Sequence, residues 1–369
     1  GKIYPLNPKG GEVSGLKVYA NIKNVPETVD YAICSIANSQ VPQFIEDCIA
    51  KGVKTVQVYT GGFSESGTEE GKQLEKKIFS LAHQNEMRVI GPNSLGVYCP
   101  KARLSFSSDF PKESGSTSFM CQSGGNSVSL VREAAQRGVR FSKVISYGNA
   151  CDINESDLLE YLALDADTKV IALYIEGVKD GKRFARLLKE TAKTKPVVVL
   201  KGGISEAGAR AAASHTGALA GSTEAWDGLL HQASIIRVDS LEELADVMVT
   251  LSYLPLPAGR KVGVLGYGGG ASVLTTDDCT NAGLIVPRFP EEIQNKLRAY
   301  LNKSGLGVNL SNPVDLSDQG WDIGYTCAKV MLNYEDIDLL IFQLPVSQFP
   351  SPFPGRDTAH ASLIESIIK

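Results

Sequence analysis

Short apolar runs alternate with amphipathic segments along most of this 369-residue chain. Runs rich in β-branched residues predict strands, and apolar residues that recur at helical spacing predict the helices between them. Alternation of this kind is typical of parallel sheets whose strands are joined by crossover helices. The pattern therefore predicts an α/β protein, and its length predicts more than one hydrophobic core.

The predicted elements fall into three groups, which we interpret as domains over residues 1–110, 111–256 and 257–369. The first group has predicted strands at 29–37, 54–60 and 87–90 and predicted helices at 41–51 and 72–86, a doubly wound pattern. The second has predicted strands at 117–121, 143–146, 170–175, 196–201 and 235–238, separated by helices, one of them at 127–136. A Pro- and Gly-rich linker at 255–259 leads to the third, with predicted strands at 261–265, near 284–286 and at 338–343.

Composition excludes several functional classes. The net charge is −4 and no stripe of Lys and Arg is present, so we expect no nucleic-acid partner. The seven cysteines form no CxxC pair and share no ligand spacing with a histidine, so we expect reduced thiols and no metal site. No apolar run approaches the roughly 20 residues that span a bilayer, and we expect neither a membrane segment nor a signal peptide before Gly1. These features predict a cytoplasmic protein.

Three glycine-containing loops are candidate anion sites. The clearest, residues 122–126 (QSGGN), lies between a predicted strand and a predicted helix, where backbone amides and a helix N-terminus can hold phosphate. The alternative is a tight turn that needs glycine for a positive φ. Residues 267–271 (YGGGA) lack the P-loop pattern. In residues 7–11 (NPKGG), Lys9 either meets a phosphate as a point charge or is a solvated turn lysine.

One of the four histidines, His215, lies in a segment of small residues, 214–222 (SHTGALAGS). Small residues leave an imidazole accessible, so we predict a loop that carries a reactive histidine ahead of a helix. His83, His231 and His360 lack such a setting and are interpreted as ordinary polar residues, the first two on helices.

Glu176 follows the predicted apolar strand 170–175, at the sheet edge where α/β proteins bind ligands. Either the carboxylate simply faces solvent, or it accepts a hydrogen bond from one ring nitrogen of His215 and leaves the other nitrogen nucleophilic. In the second case a phosphate held by the loop at Ser123 can be transferred to His215. No cluster of basic residues surrounds His215 in the sequence, so helix N-termini must supply the neutralising charge.

Taken together, six motifs resemble those of the ADP-forming acyl-CoA synthetases, relatives of succinyl-CoA synthetase. They are residues 4–11 (YPLNPKGG), 91–96 (GPNSLG), 122–125 (QSGG), 173–180 (LYIEGVKD), 214–221 (SHTGALAG) and 312–316 (NPVDL). The resemblance implies an α-type subunit or region with a CoA-binding Rossmann-like domain and two flavodoxin-like doubly wound ligase domains. It also implies that acyl-CoA, phosphate and ADP are interconverted with acid, CoA and ATP through an acyl phosphate and a phosphohistidine.

The resemblance also assigns roles to individual residues. His215 matches the phosphorylated histidine, and Glu176 matches the carboxylate that orients it. The phosphate-binding positions are Ser123, Gly124, Gly125, Thr216 and Gly217, and the positions that contact CoA or the acyl group are Pro8, Lys9, Gly10, Asn93 and Ser94. Small carboxylic acids and their CoA thioesters are the implied substrates.

The sequence departs from the family pattern at both ends. We see no first βα unit with its glycine-rich turn, so we expect an N-terminally incomplete Rossmann-like domain and a third domain that stops early. No ATP-grasp domain is present, so ADP or ATP with Mg²⁺ is expected to bind through an ATP-grasp partner or fused domain, in a homo- or hetero-oligomer.

Two other functions remain as alternatives. One is a CoA-sensing regulatory module, such as the synthetase-like region fused to some protein acetyltransferases, although a sensor needs neither His215 nor Glu176. A nicotinamide-dependent dehydrogenase ranks last, because the GxGxxG fingerprint is missing. Met87, Phe106 and Phe110 are interpreted as core residues rather than as the lining of an acyl pocket.

Overall fold

The computed structural model describes residues 1–216, 223–301, 308–317, 319 and 321–344. The chain forms two compact units, and it passes from the first to the second between Leu254 and Pro255, where the predicted linker begins. Among the described residues, each helix is too short or too polar to cross a membrane.

The first unit opens with an antiparallel hairpin and a small parallel sheet. The hairpin strands are β1 (Glu12–Val13) and β2 (Leu16–Lys17), and the sheet has the order β3 (Tyr31–Cys34), β4 (Thr55–Val58), β5 (Arg88–Ile90). Helix α1 (Val41–Lys51) has the predicted bounds and ends at Gly52 in the left-handed conformation. Helix α2 (Glu69–Gln84) begins three residues earlier than predicted, because the Thr68 side chain caps it by accepting from the amide of Gly71.

A six-stranded sheet forms the centre of the first unit. Its strands are β6 (Gly96–Tyr98), β7 (Thr117–Cys121), β8 (Phe141–Ser146), β9 (Val170–Ile175), β10 (Val197–Lys201) and β11 (Ile236–Val238). Their order is β11-β10-β9-β7-β8-β6, and every pair is parallel except β6 with β8. The sequence analysis did not predict β6. This strand belongs to the segment assigned to the domain at 1–110, but it pairs with β8 of the larger sheet.

Helices cover both faces of this sheet. The helices of this part of the chain are α3 (Gly124–Gln136), α4 (Glu155–Leu164), α5 (Gly181–Ala192), α6 (Glu206–Thr216), α7 (Thr223–Gln232) and α8 (Leu241–Tyr253). On one face, side chains of α4, α5 and α7 pack on Ile171 and Leu173. On the other, side chains of α3 and α8 pack on Phe119 and Val198. This two-sided core confirms the doubly wound architecture, and Met87, Phe106 and Phe110 all pack in cores as predicted.

The second unit contains a three-stranded parallel sheet of order β13-β12-β14. Its elements are β12 (Val262–Gly266), α9 (Gly269–Asn281), α10 (Glu291–Arg298), β13 (Val314–Asp315), α11 (Trp321–Leu332) and β14 (Leu339–Gln343). The strand predicted near 284–286 is wrong, since Ile285 makes only an isolated bridge with Lys261. The side-chain amide of Asn312 donates to the carbonyl oxygens of both Val262 and Pro287 at 2.9 Å. These hydrogen bonds take the place of further strand pairing between β12 and the segment at 284–286.

Candidate active site

The glycine loop at Ser123 joins the end of β7 directly to the first turn of α3. Ser123 is the N-cap residue, and its hydroxyl accepts a hydrogen bond from the amide of Asn126 at 3.2 Å. Because the first amides of a helix have no acceptor within it, those of Gly124 and Gly125 suit an anion. Helix α3 begins at Gly124, three residues before the predicted start, so both glycines belong to its first turn.

The two glycines are not explained by turn geometry. Neither Gly124 nor Gly125 has a positive φ, so the tight-turn alternative gives no reason for them. A Cβ at Gly124 would lie 3.0 Å from the Leu95 side chain, and a Cβ at Gly125 would meet nothing nearer than Ser123 Oγ at 4.0 Å. Small residues therefore let Leu95 approach the helix and leave the space above Gly125 open.

Glu176 follows β9 directly, at the carboxyl edge of the sheet, as predicted. The hydroxyl of Tyr174 donates to Glu176 Oε1 at 3.1 Å. Gln122 Oε1 accepts hydrogen bonds from the amides of Glu176 and Gly177, the latter at 3.2 Å. The Lys201 ammonium group donates to the Glu176 carbonyl oxygen at 2.8 Å. Side chains from three neighbouring strand ends thus fix the main chain and the carboxylate of this residue.

Lys201 brings a positive charge close to Glu176 that the sequence pattern did not reveal. It is the last residue of β10, it is buried, and its Nζ lies 5.4 Å from the centroid of the Trp226 ring. Burial lowers the pKa of Lys201, and the charge of Glu176 opposes that shift. Lys201 is thus buried next to Glu176 and does not belong to a basic surface cluster.

A cleft of about 450 Å³ connects the glycine loop with Glu176 and with the small sheet. Its lining residues are Tyr59, Gly61, Asn93, Ser94, Leu95, Gln122, Ser123, Gly124, Gly125, Gly148, Asn149 and Glu176. The lining residues follow the carboxyl ends of β4, β5, β7, β8 and β9. Open α/β sheets bind ligands at this edge, so the cleft has the position of an active site.

The turn at Asn93 and Ser94 forms the wall from the small sheet. The amide of Asn93 donates to the carbonyl oxygen of Thr60 at 2.9 Å, and the buried Ser94 hydroxyl donates to that of Val58 at 3.2 Å. Ser94 therefore holds the turn against β4, whereas the side chain of Asn93 is exposed at the cleft.

Asn149 ties this wall to the larger sheet. Its amide donates to the Pro92 carbonyl oxygen at 3.0 Å, and its side-chain nitrogen donates to Glu75 Oε2 at 2.8 Å and to Glu65. The side chain is 3% exposed, so these hydrogen bonds are shielded from water. The sequence analysis named Gln122 only as part of the loop 122–126, without a role of its own, and it missed Asn149, although each follows a strand end as Glu176 does.

The structure does not bring all predicted positions to the cleft. Pro8, Lys9 and Gly10 lie in a turn in which the amide of Gly10 donates to the carbonyl oxygen of Asn7, and none of the three lines the cleft. Pro8 and Lys9 are exposed.

The segment around His215 is only partly described. His215 and Thr216 lie in the last turn of α6, so the predicted loop is wrong for these residues, whose alanine-rich surroundings favour helix. The side chains at 213–216, together with Gly217 and the rest of 217–222, lie outside the described part of the chain. The expected contact between Glu176 and His215 and the phosphate contacts of Thr216 and Gly217 remain predictions.

Two protein-family models match the chain. A CoA binding domain matches residues 1–100, and a succinyl-CoA ligase like flavodoxin domain matches residues 114–251. The matched regions contain the small sheet and the six-stranded sheet, respectively. The cleft therefore lies between a CoA-binding type of domain and a ligase type of domain.

Individual proteins are similar over most of the chain. The alpha subunit of acetate–CoA ligase (ADP-forming) II from Pyrococcus furiosus is 38% identical, over 100% of this chain and 79% of that subunit. The 4-hydroxybutyrate–CoA ligase (ADP-forming) of Nitrosopumilus maritimus is 37% identical, over 86% of this chain and 45% of that protein. Among solved structures, dinucleotide forming acetyl-coenzyme A synthetase 1 of Ca. Korarchaeum cryptofilum, in complex with phosphate and ADP, has a TM-score of 0.84 and 34% identity, over 94% of this chain and 75% of that one.

Proposed function

We propose a catalytic role for this chain, which belongs to the ADP-forming acyl-CoA ligases, the family of the relatives just described. The chain is the component that converts acyl-CoA and phosphate into the free acid and CoA and that carries the phosphoryl group on His215 towards ADP. The observation that supports this role is the shared cleft, in which Asn93, the Ser123 loop and Glu176 line one space.

The proposed chemistry has three balanced steps. Phosphate attacks the thioester carbonyl carbon, the C–S bond breaks, and CoA leaves as the acyl phosphate forms. A ring nitrogen of His215 then attacks the phosphorus atom, and the P–O bond to the acyl group breaks, which releases the carboxylate. In the last step ADP takes the phosphoryl group from His215 and becomes ATP.

The protein promotes these steps by positioning and by charge. The amides of Gly124 and Gly125 and the N-terminus of α3 stabilise the phosphoryl oxygens, with Thr216 and Gly217 as further contacts. Glu176 accepts a hydrogen bond from one ring nitrogen of His215 and so leaves the other as the nucleophile. Asn93 and the Ser94 turn hold the acyl end of the thioester, and the turn of Pro8, Lys9 and Gly10 contacts CoA outside the cleft.

ADP and ATP, with Mg²⁺, bind in this proposal to an ATP-grasp subunit or domain in an oligomer with this chain. The Nitrosopumilus relative is more than twice the length that this chain matches, which leaves room for such a domain there. The reported relatives are named as ligases, which supports the enzyme over the CoA-sensing alternative.

Labelling of the phosphoenzyme tests this function. The chain is incubated with ³²P-labelled inorganic phosphate and a panel of thioesters that includes acetyl-CoA and 4-hydroxybutyryl-CoA, and protein-bound label is tested for acid lability and base stability. We expect label in the wild type, none in His215→Ala, and at least a tenfold slower appearance in Glu176→Ala, since a lost orienting hydrogen bond to a charged group has about this effect. ATP formation from ADP is expected only after an ATP-grasp subunit is added.

His231→Ala is the matched control, because His231 lies exposed at the end of α7. It is expected to label like the wild type. Undiminished label in His215→Ala, or CoA binding without any label across the panel, would exclude the phosphohistidine assignment.

A further inference from the structure

Tyr174 lies two residues before Glu176 on β9, and its side chain reaches the candidate catalytic carboxylate. Residues i and i+2 of a strand share a face, which brings the two side chains together. The hydroxyl of Tyr174 donates to Glu176 Oε1 at 3.1 Å. We propose that Tyr174 is a positioning residue, which occupies Oε1 and thereby leaves Oε2 of Glu176 to receive the imidazole of His215. This inference rests on the proposed function.

The fold makes room for this contact at Gly202. A Cβ at Gly202 would lie 2.7 Å from the Tyr174 hydroxyl oxygen and 3.3 Å from Glu176 Cγ. Glycine at this position of the neighbouring strand end therefore lets the phenol and the carboxylate lie side by side. A larger residue would displace one of them.

The tyrosine hydroxyl is suited to act as a permanent donor. Burial raises the pKa of Tyr174, and the charge of Glu176 raises it further, whereas the Asn126 side chain lowers it. Because the net shift is upward, the hydroxyl keeps its proton at neutral pH and donates to the carboxylate. Asn126, whose side chain interacts with the Tyr174 hydroxyl, belongs to the first turn of α3. The hydroxyl therefore lies close to the amides that we propose bind phosphate.

The contacts of Glu176 divide by function. Gln122 and Lys201 bind its main-chain amide and carbonyl groups, and they fix where the residue lies. Tyr174 binds the carboxylate itself, and it fixes how the side chain is turned. The terminal torsion of a free Glu carboxylate is broad, so an anchored carboxylate presents a defined oxygen to the histidine.

Tyr174→Phe tests the proposal because it removes the hydroxyl and keeps the ring. The full chain is incubated with ³²P-labelled phosphate and acetyl-CoA, or with the panel thioester that labels best, and the maximal labelling rate and the half-saturating thioester concentration are measured. We expect the maximal rate to fall roughly ten- to a hundredfold, the range for a hydrogen bond to a charged group. The half-saturating concentration and the Kd for CoA are expected to stay within about twofold, because Tyr174 does not line the cleft.

A double-mutant cycle with Glu176→Ala separates positioning from general packing. If Tyr174 acts through Glu176, Tyr174→Phe has no further effect in the Glu176→Ala background. Tyr161→Phe, on the exposed side of α4, is the control and is expected to behave like the wild type.

The outcomes distinguish the two proposals. If neither the wild type nor any variant is labelled, the proposed function fails. If the wild type is labelled and Glu176→Ala is impaired, but Tyr174→Phe matches Tyr161→Phe, the function stands and the positioning role is wrong. An equal loss from Tyr174→Phe with and without Glu176 would also overturn that role.

Discussion

At the scale of single residues, Gly148 joins the two walls of the cleft. It has a φ of +56°, and a Cβ there would lie 2.2 Å from the Pro92 carbonyl oxygen and 2.4 Å from that of Asn93. We expect Gly148→Ala to lower the free energy of unfolding by about 2–4 kcal/mol. Alanine is strained at this positive φ, and its Cβ would also clash with two backbone carbonyl oxygens that cannot move away. Urea denaturation of the full chain measures this difference.

Gly228→Ala is the matched control for Gly148→Ala. It is exposed within α7, and a Cβ there would meet nothing within 4 Å. Gly228→Ala is expected to raise the free energy of unfolding by about 0.5–1 kcal/mol through helix propensity. Equal stability of the two alanine variants would show that the approach of Gly148 to the Asn93 turn is not tight in solution.

At the scale of elements, the N-terminus of α3 is stabilised by a side-chain cap and is also the phosphate site that we propose. Ser123→Ala removes the hydroxyl that accepts from the Asn126 amide, and we expect a loss of about 1 kcal/mol in the free energy of unfolding. Labelling by phosphate should also slow at least several-fold, because a frayed first turn no longer holds its amides in place. Chemical denaturation and phosphoenzyme formation measure the two effects.

Ser240→Ala removes an equivalent cap from another helix. Ser240 accepts from the amide of Glu243 at 3.0 Å at the start of α8 and does not line the cleft. We expect a similar loss of stability with unchanged labelling. Parallel losses of labelling in both variants would mean that Ser123 acts through stability alone.

At the scale of the whole first unit, an ion pair between Lys143 and Asp165 ties the larger sheet to the end of α4. The side chains are 11% and 12% exposed, and Lys143 Nζ lies 2.7 Å from Asp165 Oδ2. Burial raises the pKa of Asp165, but hydrogen bonds from Lys143 and Thr168 lower it by more, so the net shift is downward. The stabilisation is therefore present above the unfolded pKa of about 3.9 and is lost as the pH falls through the lower folded pKa.

Asp165→Asn is expected to lower the free energy of unfolding by about 3 kcal/mol at pH 7, because the buried Lys143 loses its hydrogen-bonded partner and keeps only Asp167, 3.8 Å away. The difference from the wild type should shrink below about pH 4. Asp239→Asn is the control, since Asp239 is exposed and its partner Arg237 keeps a second carboxylate, Asp227, and a change under about 1 kcal/mol is expected. A pH-independent difference for Asp165→Asn would contradict the ion-pair explanation.

Local signals in the sequence account for the individual elements of this protein. The strands at 117–121 and 170–175 and the helix at 41–51 have the predicted bounds, because periodicity and end signals fix such elements over short distances. The position of Glu176 after a buried strand was predictable for the same reason. So was the local geometry of the Ser123 loop, a strand followed by two small residues and a helix start.

How these elements assemble depends on packing between segments that are distant in the chain. Strands β6 and β13 are too short to carry a periodic signal, and β6 pairs because β8 offers it an edge. The Asn93 turn and the Ser123 loop meet in one cleft because Asn149 and Gly148 join the two sheets, a contact between segments far apart in the chain. The hydrogen bond of Tyr174 to Glu176 likewise requires the gap at Gly202. Such choices depend on packing between distant residues, and a linear pattern of polar and apolar positions does not encode which distant surfaces fit.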